Sequence, residues 1–327
     1  MTENDHSENG GASNLIERLA NRGVTRRDFL KFAGLMTATL ALPATYTRRV
    51  AKALLTAVRP PVVWMEFQDC TADSESFLRA NSPGVDDLLL EILSLNYHET
   101  LMAPAGAMAE KSLMDTVANY PGQYIAIVEG SIPTANNGIH CTIGGKSALS
   151  RAQTVCSNAL ATIAVGTCAW DGGLASALPN PTGAKGVKDA VPGLATLINL
   201  PGCPCNVVNL LAVVTYYLTF KQWPPTDAQG RPTSIYEETV HDQCPREDHY
   251  EEGRFVLAWG DAGHRQGWCL CKMGCKGPET QTNCPSVKWN DGTCWPVQAG
   301  HGCIGCAHPK FWDQMSPFYN SLSCQDD

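Results

Sequence analysis

From Pro60 onward, the apolar positions of the chain alternate between two periods. Short apolar runs, typical of buried strands, cover residues 62–67, 124–129, 163–167 and 197–200. Between them, apolar residues recur at helical spacing over residues 85–95, 107–119, 147–161 and 206–220. Strands and helices that alternate in this way predict an α/β fold, in which helices cover both faces of a parallel sheet.

The last predicted helix, residues 206–220, is strongly apolar but contains Asn209 and Thr215. It is shorter than the roughly 20 residues that cross a bilayer, so we expect it to be buried in the protein. Trp223-Pro224-Pro225 then breaks the pattern, and glycine, proline and cysteine dominate the rest of the chain. We predict an α/β domain over residues 54–222. A smaller irregular domain over residues 223–327 would need an inorganic group to stabilise it.

The amino-terminal segment has the organisation of an export signal. Arg26-Arg27 precede a mostly apolar run from Phe32 to Ala44, and the small-residue pattern Ala51-Lys52-Ala53 follows. Paired arginines indicate the twin-arginine route, which carries proteins that fold before they cross the membrane. An amphipathic surface helix is the alternative. We predict a signal peptide over residues 1–53 and a protein on the periplasmic side of the cytoplasmic membrane.

Composition and charge exclude two classes of protein. Of the 327 residues, 44% are hydrophobic and 17% are charged, which argues against disorder. The net charge is −8, and no basic stripe interleaved with aromatic residues is present. Binding to nucleic acid depends on clustered Lys and Arg, so we expect no nucleic-acid partner.

Cysteine is the most informative residue type. The chain has 15 cysteines, six before His241 and nine after it. They could belong to a disulfide scaffold, to zinc modules or to iron–sulfur centres. If all cysteines formed disulfides, an odd number would leave at least one thiol unpaired. A chain of this length also has little need of disulfide bonds for stability. A disulfide scaffold would also gain nothing from folding in the reducing cytosol before export.

Three cysteines follow the ends of predicted strands. Cys70, Cys168 and Cys203 are far apart in sequence, but the carboxyl ends of parallel strands meet at one edge of a sheet, where ligands bind. Neighbouring glycines would allow the backbone to approach a bulky inorganic cluster; they are Gly166, Gly172, Gly173 and Gly202. We expect the three thiols to converge. Three unrelated loop cysteines are the alternative.

The second domain carries two further groups of soft ligands. One group is His241, Cys244, Cys269 and Cys275, and the other is Cys284, Cys294, Cys303 and Cys306. Each group could bind zinc or a four-iron cluster. Zinc, however, does not account for the thiols at the sheet edge. A series of redox clusters accounts for all three groups together.

These motifs resemble those of the small subunit of the nickel–iron hydrogenases, from the signal peptide to the last residues. In the first domain the matching runs are VWMEFQDC (63–70), GTCA (166–169) and PGCP (201–204). In the second domain they are HDQC (241–244), WCLCKMGCKGP (268–278), NCP (283–285) and WPVQAGHGCIGC (295–306). The last of these runs is highly specific.

The resemblance implies a flavodoxin-like first domain that holds a proximal cluster, and an irregular second domain that holds a medial and a distal cluster. It also implies an obligate large subunit with the nickel–iron centre, in a heterodimer or a larger complex. Electrons from hydrogen would pass from the proximal to the medial to the distal cluster, and then to an acceptor such as a cytochrome or a quinone-reducing subunit. The carried-over ligands are Cys70, Cys168 and Cys203 (proximal), His241, Cys244, Cys269 and Cys275 (distal), and Cys284, Cys303 and Cys306 (medial).

Two positions depart from the family pattern. Asp73 stands where the family usually has a second proximal cysteine, and we predict that its carboxylate binds the proximal cluster. Alternatively, Asp73 caps a helix over residues 74–80, and Cys205 supplies the fourth sulfur. Cys294 could complete a 4Fe–4S medial cluster, whereas many relatives lack this cysteine and hold a 3Fe–4S cluster.

Two other functions remain possible on the sequence alone. One is a different electron carrier, such as the small subunit of an energy-conserving quinone reductase, although such relatives lack the His-x-x-Cys domain. The other is an exported cysteine-rich binding or zinc protein. No apolar run follows residue 320, so we expect no carboxyl-terminal membrane anchor in this chain.

Overall fold

The structure, a computed structural model, describes residues 17, 19–21, 23–80, 84 and 93–321. Its strands are β1 (Pro61–Glu66), β2 (Ser94–His98), β3 (Ile125–Glu129), β4 (Ile132–Pro133), β5 (Thr142–Ile143), β6 (Lys146–Ser147), β7 (Ala161–Val165), β8 (Ala184–Lys185) and β9 (Leu197–Leu200).

The helices of the first part of the chain are α1 (Arg26–Thr39), α2 (Thr47–Thr56), α3 (Ala72–Leu78), α4 (Ala107–Asn119), α5 (Ala148–Cys156), α6 (Gly166–Asp171), α7 (Val187–Ala190) and α8 (Val207–Phe220). Those of the second part are α9 (Thr233–Tyr236), α10 (Glu247–Glu251), α11 (Ala262–Arg265), α12 (Cys284–Val287) and α13 (Phe311–Gln314). Single 3₁₀ turns cover Ala44–Tyr46, Ala135–Gly138, Gly173–Ser176, Cys271–Met273 and Gly277–Glu279.

Five strands form one parallel sheet in the order β2-β1-β3-β7-β9. Successive residues of β1 point to opposite faces: Val62 and Trp64 join the core that includes α8, whereas Val63 and Met65 join the core on the other face. Both faces of the sheet are therefore covered, which explains why its central strands are continuous apolar runs. The predicted α/β fold with a parallel sheet is confirmed.

The edge strand β2 was not predicted. Ser94 and Leu95, which the sequence placed at the end of a helix over residues 85–95, pair in parallel with β1 instead. The rest of that predicted helix, residues 85–92, lies outside the described residues. The first three residues of β2 are only half-buried, so this strand lacks the apolar run that marks a central strand.

Two element boundaries also differ from the prediction. The helix predicted over residues 147–161 ends at Cys156, and β7 begins at Ala161. The strand predicted over residues 163–167 ends at Val165, because Gly166 has a φ of +81° and starts α6. The thiol of Cys168 thus lies on the first turn of a helix rather than directly at a strand end.

The amino-terminal helices α1 and α2 pack against α8. Phe32 and Leu54 belong to the same core as α8, and the Arg49 guanidinium lies 4.6 Å from the ring centre of Phe220. The paired arginines are exposed in the first turn of α1. Ala51, from the predicted cleavage pattern, is buried within α2. Among the described helices, none is long and apolar enough to cross a bilayer.

Beyond α8 the regular elements shorten to four or five residues. Among the described residues of this part, one separate hydrophobic cluster has five buried members, namely Val240, Val256, Leu270, Trp295 and Val297. Several cysteines pack against it, including Cys244, Cys275, Cys284 and Cys303. An apolar core this small, lined by thiols, matches the predicted irregular second domain. The boundary at residues 222–223 remains a prediction.

Polar contacts join the two parts of the chain. The side-chain amides of Asn209 and Asn283 are buried and donate to each other's oxygens at 3.0 and 2.8 Å. The Thr167 hydroxyl donates to the Cys306 carbonyl at 2.5 Å. Because Thr167 and Cys306 each lie next to or among the predicted ligands, these contacts also fix the sheet edge against the second part.

Candidate metal centres

The first centre lies at the carboxyl edge of the sheet. Cys70 follows β1, Cys168 lies in α6 after β7, and Cys203 follows β9. The side chains of Cys168, Asp73 and Cys70 all act electrostatically on the Cys203 thiol, so the four lie close together. The predicted convergence does not require neighbouring strands, because β3 separates β1 from β7.

Asp73 is buried beside these thiols. Its Oδ1 atom accepts a hydrogen bond of 2.6 Å from the backbone N–H of Cys205. Burial and the nearby Glu129 carboxylate raise the pKa of Asp73 well above its usual range. The carboxyl group would therefore hold a proton unless a cation lies next to it.

The alternative role of Asp73 as a helix cap is wrong. Helix α3 begins at Ala72, and its N-cap residue is Thr71, which has a φ of +62° and makes no side-chain capping bond. Asp73 is already within the helix, where its backbone N–H donates to Glu129 at 3.0 Å. Its side chain points toward the thiols instead of the helix end.

Two glycines make room for this centre. A Cβ on Gly166 would lie 2.0 Å from Oδ2 of Asp73, and a Cβ on Gly173 would lie 2.5 Å from the Cys168 sulfur. Both residues also have positive φ angles, of +81° and +53°. Only glycine meets both requirements. The backbone thus approaches the ligands as the sequence predicted.

The second centre lies in a cavity of about 720 Å³ between the two parts of the chain. All four predicted medial residues line it, namely Cys284, Cys294, Cys303 and Cys306. Cys203 of the first centre lines the same cavity and is close enough to Cys306 for their thiols to interact electrostatically. The first and second centres are therefore adjacent.

The third centre is a narrow pocket whose lining includes His241, Cys244, Cys269 and Cys275. The His241 ring meets Tyr250 edge-on at 4.7 Å. Cys271, which the sequence left without a role, also lines this pocket and is disulfide-bonded.

Arg246 was not singled out from the sequence, although it lies two residues after Cys244. Its backbone N–H donates to the Cys244 sulfur at 3.4 Å, and its guanidinium donates to the Trp268 carbonyl at 2.8 Å. The charge lies within reach of the thiols of Cys269 and Cys275. A cation here stabilises thiolate ligands.

Glu129 was also missed. It ends β3, is fully buried, and accepts hydrogen bonds from the Trp64 indole at 3.0 Å, from the Ser74 hydroxyl at 2.5 Å and from the backbone of α3. Burial raises its pKa to about 7. Glu129 holds α3, and so Asp73, against the sheet. A carboxylate at the end of a wholly apolar strand was the available signal.

The donor sets fit iron–sulfur clusters. Burial raises the pKa of Cys168 to about 12 and that of Cys284 to about 12, so both thiols stay protonated at neutral pH unless a metal displaces the proton. Thiolate sulfur with an occasional imidazole is the ligand chemistry of such clusters. Among the described residues, no group of three or more His, Cys, Asp or Glu side chains is arranged to hold a single metal ion.

Comparisons with known families cover both parts of the chain. The family that describes the carboxyl-terminal region of the NiFe/NiFeSe hydrogenase small subunits matches residues 236–319. A family described as the NADH ubiquinone oxidoreductase 20 Kd subunit matches residues 70–217.

Individual relatives match over most of the chain. It is 48% identical over 312 residues to the periplasmic NiFe hydrogenase small subunit 1 of Nitratidesulfovibrio vulgaris, covering 95% of this chain and 98% of that protein. It is 44% identical over 302 residues to the quinone-reactive Ni/Fe-hydrogenase small chain of Wolinella succinogenes, covering 92% and 85%. Among solved structures, a NiFeSe hydrogenase chain from Desulfomicrobium baculatum matches with a TM-score of 0.76 and 32% identity, covering 81% of this chain and all of that one.

Proposed function

Because the chain belongs to the family of nickel–iron hydrogenase small subunits, we propose that it passes electrons from hydrogen oxidation through three iron–sulfur clusters to an external acceptor. The family establishes that the chain is the electron-transfer subunit of a hydrogenase, that it carries iron–sulfur clusters, and that it pairs with a large subunit. The number of clusters, their ligands and the acceptor are our proposal.

The observation that carries the proposal is the adjacency of the three centres. Cys203 of the first centre lies next to Cys306 of the second. In turn, the backbone N–H of Cys303, in the second centre, donates to the sulfur of Cys275, in the third, at 3.2 Å. These two contacts support the proposed order proximal, medial, distal. Each cluster would supply one-electron redox chemistry, and the protein would hold the clusters in sequence.

We assign the ligands as the sequence predicted them. The proximal ligands are Cys70, Asp73, Cys168 and Cys203; the medial ligands are Cys284, Cys294, Cys303 and Cys306; the distal ligands are His241, Cys244, Cys269 and Cys275. The positions of these side chains in the three centres support the assignment.

Asp73 is proposed as the fourth proximal ligand in preference to Cys205. Both side chains are buried, and the Asp73 carboxylate acts electrostatically on the thiols of Cys168 and Cys203. The Cys205 thiol donates to the Asn206 carbonyl at 3.4 Å instead. An oxygen ligand leaves more charge on the iron than a thiolate does, so it should alter the reduction potential of the cluster.

We expect Asp73→Cys to shift the midpoint potential and the paramagnetic spectrum of the proximal cluster, and to leave the other two clusters unchanged. Cys205→Ala is the matched control and should leave all three clusters as they are. Redox titration of the purified heterodimer, followed by electron paramagnetic resonance, measures both variants. A proximal signal that is unchanged in Asp73→Cys but lost in Cys205→Ala would assign the ligand to Cys205.

The whole proposal is tested by iron analysis of the heterodimer. We expect about thirteen iron atoms, four in each of three clusters and one in the nickel–iron centre of the large subunit, and bleaching of a broad visible absorption when hydrogen is added. Cys294→Ala should convert the medial cluster to a three-iron form, with about one iron fewer and a new paramagnetic signal in the oxidised protein. If that signal is already present before substitution, Cys294 is not a ligand. A colourless heterodimer without iron and acid-labile sulfide would contradict the function itself.

Export and assembly complete the proposal. We infer that residues 1–53 form a twin-arginine signal and that the complex works on the periplasmic side of the membrane. The name of the 48% identical relative, a periplasmic subunit, supports this location. A cytochrome or a quinone-reducing subunit is the proposed acceptor, and the name of the quinone-reactive relative is consistent with the second.

The family match of the second domain argues against the two alternative functions, a quinone-reductase subunit and a cysteine-rich binding or zinc protein. The first domain also matches the quinone-reductase family, which agrees with the shared cluster chemistry expected from the sequence. The match of residues 236–319 to the hydrogenase family distinguishes this chain from that reductase. A zinc protein or a disulfide scaffold agrees with neither match.

A further inference from the structure

Lys276 lies at the contact between the medial and distal centres. It directly follows Cys275, and its backbone N–H donates to the Cys303 carbonyl at 2.7 Å. A Cβ on Gly302 would lie 2.9 Å from the Cα of Cys275, so the two ligand loops are as close as their backbones permit. The Lys276 side chain starts between them and is 0% exposed.

The ammonium group of Lys276 has few neutral partners and no counter-ion among the described residues. It donates to the backbone carbonyl of Asn320, which uses one of its three N–H bonds. Burial lowers the pKa of the Lys276 ammonium, whereas the neighbouring groups of Cys275 and Cys303 act in the opposite direction and favour its charged form. No carboxylate pairs with it in the described part of the chain.

A buried ammonium without a counter-ion is strongly unfavourable. Surface lysines of this chain avoid that cost: Lys111, for example, is exposed and pairs with Asp115. Within the described residues, the negative charge nearest to Lys276 would be that of the two ligand groups beside it. Thiolates bound to iron–sulfur clusters supply such charge, and reduction of a cluster adds one more negative charge.

We propose that Lys276 is a shared counter-ion of the medial and distal clusters, and that its charge raises the reduction potentials of both. This proposal rests on the proposed function, since it requires the two clusters. A fixed positive charge stabilises the more negative, reduced state of each cluster, and the low polarity of a buried site makes this effect larger than it would be in water. Lys276 would act on the reduction potentials of the two clusters through its charge, and it contacts no substrate.

Neutral replacements of Lys276 in the complete heterodimer test the proposal. Lys276→Gln can still donate to the Asn320 carbonyl, whereas Lys276→Met cannot. We expect both variants to retain full iron content and to show medial and distal midpoint potentials that are more negative than before. The proximal potential should stay constant and serves as an internal reference. Redox titration monitored by electron paramagnetic resonance gives the three values separately.

Lys272→Met is the matched control. This lysine is four residues earlier, is only half-buried, and lies 5.6 Å from the ring centre of Phe255. Water and salt screen its charge, so its removal should leave the potentials almost unchanged. Lys276→Arg keeps the charge and should keep the potentials.

Three results would overturn the proposal. The first is full iron content with unchanged potentials in Lys276→Gln. The second is an equal shift of all three clusters, which would indicate a general change of charge. The third is loss of iron from both neutral variants while Lys276→Arg stays intact but has shifted potentials. Failure of the proposed function is distinct, because the unsubstituted heterodimer would then contain no clusters to titrate.

Discussion

Replacing Cys203 by alanine is expected to lower hydrogen-driven reduction of an external acceptor by about 100-fold or more, since loss of a direct ligand should exceed the roughly 10- to 100-fold effect of losing an outer partner. Cys203 lies where the first centre meets the second. Its loss removes a proximal ligand and interrupts electron transfer between the two centres. The measurement is the rate of benzyl viologen reduction under hydrogen by the purified heterodimer, with iron analysis in parallel.

Cys156→Ala provides the control for this experiment. Cys156 is a buried free cysteine that is not among the proposed ligands; it lies in α5, within the core on the other face of the sheet. Its replacement should cost some stability and leave the iron content and the rate unchanged. A Cys203→Ala heterodimer with full iron and a normal rate would show that electrons do not pass this residue.

Replacing Gly166 by alanine is expected to destabilise the protein by about 2–5 kcal/mol. A left-handed backbone costs a non-glycine residue about 1–2 kcal/mol, and overpacking a buried site adds about 1–3 kcal/mol. Here the new methyl group would lie 2.0 Å from the Asp73 carboxylate. We therefore expect the proximal iron to be lost as well.

Gly145→Ala separates the two contributions to this loss. Gly145 also has a positive φ, of +76°, but a Cβ there meets nothing within 4 Å. It should cost only the conformational part, about 1–2 kcal/mol. Urea unfolding of the heterodimer and its iron content measure both variants. Equal destabilisation by the two substitutions would mean that Asp73 moves aside freely and is not fixed in place.

The sequence predicted the sheet because buried parallel strands are nearly continuous apolar runs. Four of its five strands, β1, β3, β7 and β9, were found in this way. The fifth, β2, is a partly exposed edge strand, and its polar residues hid it. Amino-terminal helix α2 was also missed, because the segment was interpreted as an export signal and its docking against α8 depends on distant residues.

The candidate ligands could be found from their spacing because cysteine is rarely placed in such patterns without a chemical reason. Lys276 and Glu129 could not be found in the same way. Lys276 is an ordinary charged residue in the sequence, and Glu129 was marked only by its place at the end of an apolar strand; both are buried by distant parts of the chain. Asp73 lies between these cases. Its motif position suggested a ligand, but only the position of helix α3 excluded the capping role.

Because the apolar core of the second part is small, we expect the lifetime of this protein in the cell to depend on the supply of iron. A hydrophobic cluster with five buried members, flanked by cysteines, is too small to keep about 100 residues folded without metal. When iron is scarce, the first part of a newly made chain would fold, whereas the second part would stay poorly packed. Poorly packed segments are preferred sites of proteolysis, so we expect iron starvation to lower the amount of the subunit.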